Sequence, residues 1–189
     1  MAIQQQIIDA DSFWELTQLP EYADKVLDLV GGEIIEMSKP GGLHGVIVMR
    51  LGRYLDVFVY ENKLGYVTAA ETGYILQRNP DGRDTVRGLD SGFIRSSKLP
   101  DGMPEGHVPI APDLAVEVIS PGNTAEDIQL KVRELLKAGT QLIWIVYPKT
   151  KTVEVHTQQR ANTLELDDTL SGQDILPGFE LKISDIFPV

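Results

Sequence analysis

The stretch of residues 112–119, PDLAVEVI, decides the fold that we predict for this chain. Side chains alternate between the two faces of a strand, so Val116 and Val118 would face one side and Glu117 the other. The stretch is apolar enough for a central strand, which predicts that Glu117 is at least partly buried. A buried carboxylate is costly unless a metal ion or a cation meets it. The alternative is a carboxylate near the end of the strand that reaches water.

A predicted helix follows this strand after the turn Ser-Pro-Gly-Asn at residues 120–123 and ends at Gly139. Lys131 lies at the edge of the apolar stripe of the helix rather than opposite it. Because the turn is short, the helix packs back on the strand and could bring the Lys131 ammonium near Glu117. The alternative is a lysine that extends over its neighbours to solvent.

Three further residues could take part in chemistry. Asp90 lies in a strand-like run at residues 87–94, and two carboxylates on adjacent strands with a lysine suit Mg²⁺ or Mn²⁺. Glu71 is a third strand carboxylate, for which a bulge or an edge position is an equally good interpretation. His44 precedes the first long helix, where it could carry a proton or contact a phosphate, with helix capping or an exposed position as the alternative.

The order of the remaining elements predicts an α/β fold at the border of α+β. It is a mixed β-sheet flanked by helices, with an N-terminal hairpin and additional C-terminal strands. We expect one domain over residues 1–189, with its core at about 44–157. An N-terminal helix and hairpin would occupy residues 11–38, and the C-terminal strands residues 163–189.

Composition and charge exclude several classes of protein. The 189 residues include no cysteine, which excludes disulfides, a thiolate nucleophile and cysteine-bound zinc. No apolar run reaches the roughly 18 residues of a membrane span, and we expect a cytoplasmic protein without a membrane segment. The net charge of −11 argues against a general nucleic-acid binder. Residues 37–100 nevertheless hold nine bases against six acids, which leaves room for a local phosphate-binding face or for solvated surface charge.

Several segments in a fixed order carry a resemblance to a known family. They are Gly32–Ser38, His44-Gly45, Glu71–Tyr74, Arg87–Ile94, Pro112–Pro121, Lys131, Gly139, Trp144–Val146 and Leu176–Phe179. From about residue 12 to residue 187, the chain resembles the putative restriction endonuclease domain family of the PD-(D/E)XK phosphodiesterase superfamily. The resemblance implies a restriction-endonuclease-like fold with a metal site on the central strands.

The same resemblance implies roles for individual residues. Asp90 matches the motif aspartate and Glu117 the acid of the acid-x-lysine element, and both would hold Mg²⁺ or Mn²⁺. Ile119 stands where the superfamily usually has its lysine, which is displaced here onto the next helix as Lys131. The implied function is a metal-dependent endonuclease that hydrolyses DNA, with its phosphates bound by Arg50, Arg53, Arg87 and Arg95.

Two further expectations concern activity and partners. The alternative function is a catalytically inactive binding or regulatory protein with a nuclease fold. The net charge and the sequence LDSG at residues 89–92, whose glycine should weaken the strand, favour this alternative. Because DNA has two strands, we also expect a two-fold homodimer. Residues 142–144, with Trp144 itself mostly in the core, and residues 176–179 would form its apolar patch.

Overall fold

The computed structural model of the protein describes residues 7–188, in which helices pack on a long β-sheet. The helices are α1 (Ala10–Thr17), α2 (Gly42–Glu61), α3 (Ala125–Ala138) and α4 (Ile183–Ile186), with a 3₁₀ turn at Ser96–Lys98. The strands are β1 (Val26–Val30), β2 (Glu33–Met37), β3 (Gly65–Gln77), β4 (Thr85–Arg95), β5 (Leu114–Val118), β6 (Leu142–Tyr147), β7 (Thr152–His156), β8 (Ala161–Leu164), β9 (Thr169–Ser171) and β10 (Glu180–Lys182).

The main sheet is mixed, as the sequence predicts. Its order is β2-β1-β4-β5-β6-β7-β8, and β3 pairs with β4 as well. Strands β5 and β6 are parallel and are joined by α3, which provides the long crossover that a parallel pair requires. The other pairs are antiparallel, and β9 and β10 form a separate small sheet. The predicted fold class, with an N-terminal hairpin and additional C-terminal strands, is confirmed.

Alternation along β5 divides the core into two layers. Val116 and Val118 pack with buried residues of α2 on one face of the sheet. Ala115 packs with Val132 and Leu135 of α3 on the other face. This arrangement places Glu117, which alternates with its two valine neighbours, on the face that α3 covers.

The predicted apolar patch for a dimer is wrong. Leu142 and Ile143 are fully buried, because they lie in the interior of the sheet rather than at its surface. Trp144 is fully buried too, which confirms its predicted core position. Leu176 and Phe179 are buried as well, and they pack in the same core layer as Trp144. A hydrophobic run has the same appearance in the sequence whether it meets the core or a partner.

The predicted weakening of β4 by Gly92 is also absent. Gly92 pairs with Thr68 of β3 on one side and with Ala115 of β5 on the other. The ring of Tyr74 occupies the position that a Cβ atom of residue 92 would take. The glycine therefore serves close packing, and the strand around it is fully buried.

Helix α2 presents apolar side chains in two directions. Ile47, Leu51, Leu55 and Val59 recur every four residues and face the core. Other large apolar residues of the same helix are exposed, namely Leu43, Val46, Met49, Val57 and Tyr60.

Within residues 7–188, no helix has the length and hydrophobicity needed to cross a membrane.

Candidate active site

The main sheet has a gap along one edge of β4, beyond the point where β4 stops pairing with β1. One edge of β4 pairs with β3, and the other edge is shared by β1 and β5. On the shared edge, Val86 pairs with Leu29 of β1, and pairing with β5 starts only at Ser91. Residues 87–90 lie between these two contacts, so the peptide groups that face this edge need partners other than a neighbouring strand. The acidic residues predicted from the sequence surround this gap.

A cleft opens at the gap and collects all five residues that the sequence singles out. Its walls come from β1, β2, α2, β3, β4, β5, α3 and β6. They include Asp28, His44, Glu71, Asp90, Glu117 and Lys131. The structure therefore brings together side chains from distant parts of the chain, and it adds Asp28 to the predicted set.

Asp90 links β4 to two other elements through one of its oxygens. Its Oδ2 accepts a hydrogen bond of 2.7 Å from the backbone N–H of Val118 and lies 3.1 Å from Nε2 of His44. His44 is buried in the first turn of α2, and the hydrogen bond to Asp90 raises the pKa of its imidazole. The predicted alternatives of a capping or exposed histidine do not apply. Within residues 7–188, Oδ1 of Asp90 has no hydrogen-bond partner.

Glu117 has a buried oxygen that lacks a hydrogen bond. Nζ of Lys131 lies 2.7 Å from Oε1 of Glu117, but the contact lacks the angles of a hydrogen bond. The ammonium instead donates to the carbonyl oxygen of Gly88 at 2.7 Å. Oε1 of Glu117 is therefore paired with the charge of Lys131. Among the described residues no hydrogen bond reaches the other oxygen, Oε2, so the carboxylate keeps an oxygen that a ligand can use.

Burial and neighbouring charges shift the pKa values of Glu117 and Lys131 in opposite directions. Burial raises the pKa of Glu117 to about 8, although the charge of Lys131 opposes the change. Burial would lower the pKa of Lys131, but the carboxylates of Glu117 and Asp28 outweigh it and raise that pKa. Both groups therefore bind a proton more tightly than they do in water, and the ammonium and the ionised carboxylate stabilise each other.

Glu71 stands at the mouth of the cleft. The pairing of β3 with β4 shifts register between Ala69 and Thr72, so Glu71 lies in a bulge, as one of the two interpretations predicts. Its Oε2 would lie 3.0 Å from a Cβ atom built on Gly88. Partial loss of water and the nearby charge of Asp90 raise the pKa of Glu71. The bulge therefore directs a strand carboxylate into the cleft.

Arg87 is not available to bind DNA, which corrects the sequence prediction. Its guanidinium is buried, with Nη1 3.1 Å from Oδ2 of Asp28 and Nε 2.7 Å from Oε2 of Glu134. Neither acid is predicted as functional from the sequence. Asp28 carries the same signal as Glu117, because it is an acid inside an apolar strand at residues 26–30. Glu134 follows Lys131 by one turn of α3 and has no distinctive local signal.

The other three predicted arginines differ in their availability. Arg50 donates to the carbonyl oxygen of Phe187 at 2.6 Å. Arg95 donates to two backbone carbonyl oxygens at 3.3 Å and lies 3.7 Å from Asp113. Arg53 is exposed, and its guanidinium lies 4.8 Å from the ring centre of Tyr54. Arg50 and Arg95 therefore have structural partners, whereas Arg53 stays a predicted DNA contact.

The carboxylates of the cleft fit Mg²⁺ better than Zn²⁺. Within the described residues, no group of three or more His, Asp or Glu side chains is arranged to hold a metal. Structural and catalytic zinc sites generally need three or four protein ligands. Mg²⁺ keeps several waters and often binds through one or two carboxylates. The unpaired oxygens of Asp90 and Glu117 fit this second pattern.

The fold and the cleft define a nuclease-like α/β protein with an acidic site at a gap in its sheet. The sequence matches Uma2, described as "Putative restriction endonuclease", over residues 13–184, and the chain belongs to this family. The predicted resemblance is thereby confirmed. The fold is similar to that of a putative nuclease belonging to DUF820 from Anabaena variabilis ATCC 29413. That crystal structure has a TM-score of 0.80 and 24% identity, and the alignment covers 95% of this chain and 97% of the other. No curated protein matches the chain.

Proposed function

We propose that the protein is a metal-dependent endonuclease that hydrolyses DNA phosphodiester bonds in the cleft. The observation that carries this proposal is the cleft that brings together Asp90, Glu117 and Lys131, with the Lys131 ammonium 2.7 Å from Oε1 of Glu117. Membership in a family described as restriction endonucleases supports the nuclease chemistry. An acidic pair with an adjacent ammonium is suited to a reaction in which negative charge develops on a phosphate.

Asp90 and Glu117 would hold Mg²⁺ or Mn²⁺. When bound, such an ion lowers the pKa of a water molecule and polarises a phosphoryl oxygen. His44 keeps Asp90 oriented by contacting Oδ2, which leaves Oδ1 directed to a ligand. Since Glu117 binds a proton tightly, the carboxyl must lose that proton before it can coordinate a cation.

Lys131 and Glu71 would handle charge and protons in this reaction. The Lys131 ammonium is fixed by the carbonyl oxygen of Gly88 and can stabilise the charge that develops on the phosphate. Glu71 lies at the mouth of the same cleft with a raised pKa, which suits it to accept a proton from an attacking water. Arg53, which is exposed, is the remaining candidate for a phosphate contact.

The alternative function is an inactive binding or regulatory protein with the same fold. The net charge of −11 favours this alternative, because a DNA-binding surface normally carries excess positive charge. The partners of Arg50, Arg87 and Arg95 favour it as well, since three of the four predicted phosphate contacts are engaged within the protein. Under this alternative, the acidic cleft would be a remnant or a binding site without turnover.

A plasmid-nicking assay with Mg²⁺ or Mn²⁺ separates the two functions. We expect the wild-type protein to nick the plasmid and Glu117→Gln to lose that activity. Glu154→Gln is a matched control, because Glu154 also lies on a strand but is bound to Tyr147 and His156 outside the cleft. Cleavage that survives in Glu117→Gln would refute this site. A wild-type protein that binds Mn²⁺ and DNA without cleavage would support the inactive alternative.

We also propose that the protein forms a two-fold homodimer through the exposed face of α2. Met49, Val57 and Tyr60 are each at least half exposed on this face. In an antiparallel pairing of two α2 helices, these apolar side chains of each subunit would meet those of the partner subunit, which makes the face self-complementary.

Sedimentation tests this dimer directly. We expect the wild-type protein to sediment at twice the chain mass of 20.9 kDa at high concentration. Met49→Glu should sediment as a monomer, because it places a charge within the apolar face. Ile35→Glu is the matched control on the exposed hairpin and should remain a dimer. A single species of 20.9 kDa for the wild-type protein at high concentration would overturn the proposal.

A further inference from the structure

A buried ionic chain connects three elements behind Lys131. Asp28 comes from β1, Arg87 from β4 and Glu134 from α3. Arg87 bridges the two acids, at 3.1 Å from Asp28 and 2.7 Å from Glu134. Asp28 and the Arg87 side chain are almost completely buried, so water screens their interaction very little. The chain therefore fixes helix α3, which carries Lys131, against the gap in the sheet.

The same aspartate also holds the peptide group that orients Lys131. Oδ1 of Asp28 accepts a hydrogen bond of 2.8 Å from the N–H of Gly88. The carbonyl oxygen of Gly88 in turn accepts from Nζ of Lys131 at 2.7 Å. Strands β1 and β4 share one registered backbone pair, Leu29 with Val86. Beyond that pair, the Asp28 side chain provides the hydrogen bond that links β1 to β4. Asp28 thus supports Lys131 by two routes, through Gly88 and through Arg87.

Residue 88 lies close to two carboxylates of the cleft. A Cβ atom built on Gly88 would lie 3.0 Å from Oε2 of Glu71 and 3.4 Å from Oδ1 of Asp28. Glycine therefore permits the carboxylates of Asp28 and Glu71 to approach the strand closely. The peptide of Gly88 is held tightly between the hairpin and α3, and it can transmit a change at Asp28 to Lys131.

We propose that Asp28 is a positioning residue for Lys131, and that it acts through Arg87 and the Gly88 peptide. This role rests on the proposed nuclease function of the cleft, in which the ammonium must stand beside Glu117. The hairpin of β1 and β2 is then part of the active site, although Asp28 touches no reacting atom. Arg87 serves the reaction from inside the protein instead of binding a DNA phosphate.

The variant Asp28→Asn tests the proposal with little change in shape. The amide oxygen can still accept from Gly88, but the amide nitrogen offers a donor to Arg87, which is itself a donor. We expect kcat for plasmid nicking to fall about tenfold. The KM for DNA and the affinity for Mn²⁺ should stay within about twofold of wild type, because Asp90 and Glu117 are untouched. Crystals of the variant should show a longer distance from Nζ of Lys131 to the oxygen of Gly88.

Two further variants separate positioning from stability. Asp84→Asn is the matched control, since Asp84 is a buried acid that accepts backbone hydrogen bonds from Ala10 and Asn79 outside the cleft. It should lose stability but keep kcat. Glu134→Gln breaks the link between Arg87 and α3 at a less buried position, so it provides the test if Asp28→Asn does not fold. It should lower kcat with an unchanged KM.

The outcomes distinguish failure of this role from failure of the proposed function. If the wild-type protein cleaves no DNA, the nuclease function fails, and the distance between Lys131 and Gly88 in crystals of the variants decides the positioning role. If wild type cleaves DNA, a wild-type kcat in both Asp28→Asn and Glu134→Gln would overturn the role. An unchanged distance between Lys131 and Gly88 in these variants would overturn it as well.

Discussion

An acid stands near each end of β5, but the two acids are in different conditions. Directly before the strand, Asp113 is completely buried and has several donors. It accepts from the N–H of Arg95 at 2.9 Å and from Gln141 at 3.1 Å, and Nζ of Lys98 lies 3.0 Å away. Near the end of the strand, Glu117 has a lysine at a similar distance and an oxygen without a hydrogen bond.

The difference teaches how to tell a structural acid from a functional one. Both acids have little contact with water, at 0% exposed for Asp113 and 16% for Glu117, and both lie within 3.0 Å of a lysine. Burial and an ion pair therefore do not identify a site. What separates them is the hydrogen-bonding capacity that remains unused, since only an acid with spare oxygens can bind a ligand without losing internal contacts.

Exchanging each acid for its amide should give opposite results, and this is the largest effect that we predict. Glu117→Gln should lower the cleavage rate by at least about 1000-fold, or about 4 kcal/mol, with little loss of stability. Asp113→Asn should keep its cleavage rate but lose about 2–3 kcal/mol of unfolding free energy, because several donors lose a charged acceptor. Nicking rates and urea unfolding measure both effects. Equal losses of cleavage in the two variants would remove the distinction between the ends of β5.

The two lysines allow a second version of the same test. Lys131→Met keeps the apolar stem and should lower cleavage by about 100-fold, or about 2.7 kcal/mol, while Mn²⁺ still binds. Lys131→Arg should rescue poorly, because a planar guanidinium does not replace a compact ammonium. Lys98→Met is the matched control and should cost at most about 1 kcal/mol of stability, since Lys98 is partly exposed. Full cleavage by Lys131→Met would show that the displaced lysine has no role.

A smaller effect should appear in the pH dependence of stability. Because burial raises the pKa of Glu117 to about 8, the folded protein holds a proton that the unfolded chain releases near its ordinary pKa of 4.5. The stabilisation is therefore complete below that ordinary pKa and is lost as the pH rises towards about 8. Between about pH 6 and about pH 7.5, wild type should lose about 1–2 kcal/mol more stability than Glu117→Gln. Identical slopes in urea unfolding would contradict the raised pKa.

The local pattern of the sequence predicts much of the site. Alternation along β5 predicts the face on which Glu117 lies, and the helix period of α3 predicts Lys131 near it. These predictions succeed because strand and helix periods are local properties. The turn between the two elements is short, so local pattern also determines how they pack.

Other features could not be predicted because they depend on distant partners. Arg87 meets Asp28 and Glu134, which are 59 and 47 residues away in the chain. No local pattern distinguishes an arginine with such partners from one that faces solvent. The absence of a hydrogen bond at Glu117 depends on angles within the folded cleft, which no spacing in the sequence records.

The gap beside β4 has a consequence for when the chain becomes active during its synthesis. The cleft at this gap is lined by β1, β2, α2, β3, β4, β5, α3 and β6, so a nascent chain that ends before α3 has no complete cleft. During synthesis, domains generally fold as units. Activity should therefore arise late and in a single step, after β6 has emerged to pair with β5. A truncated fragment of this protein would leave DNA intact.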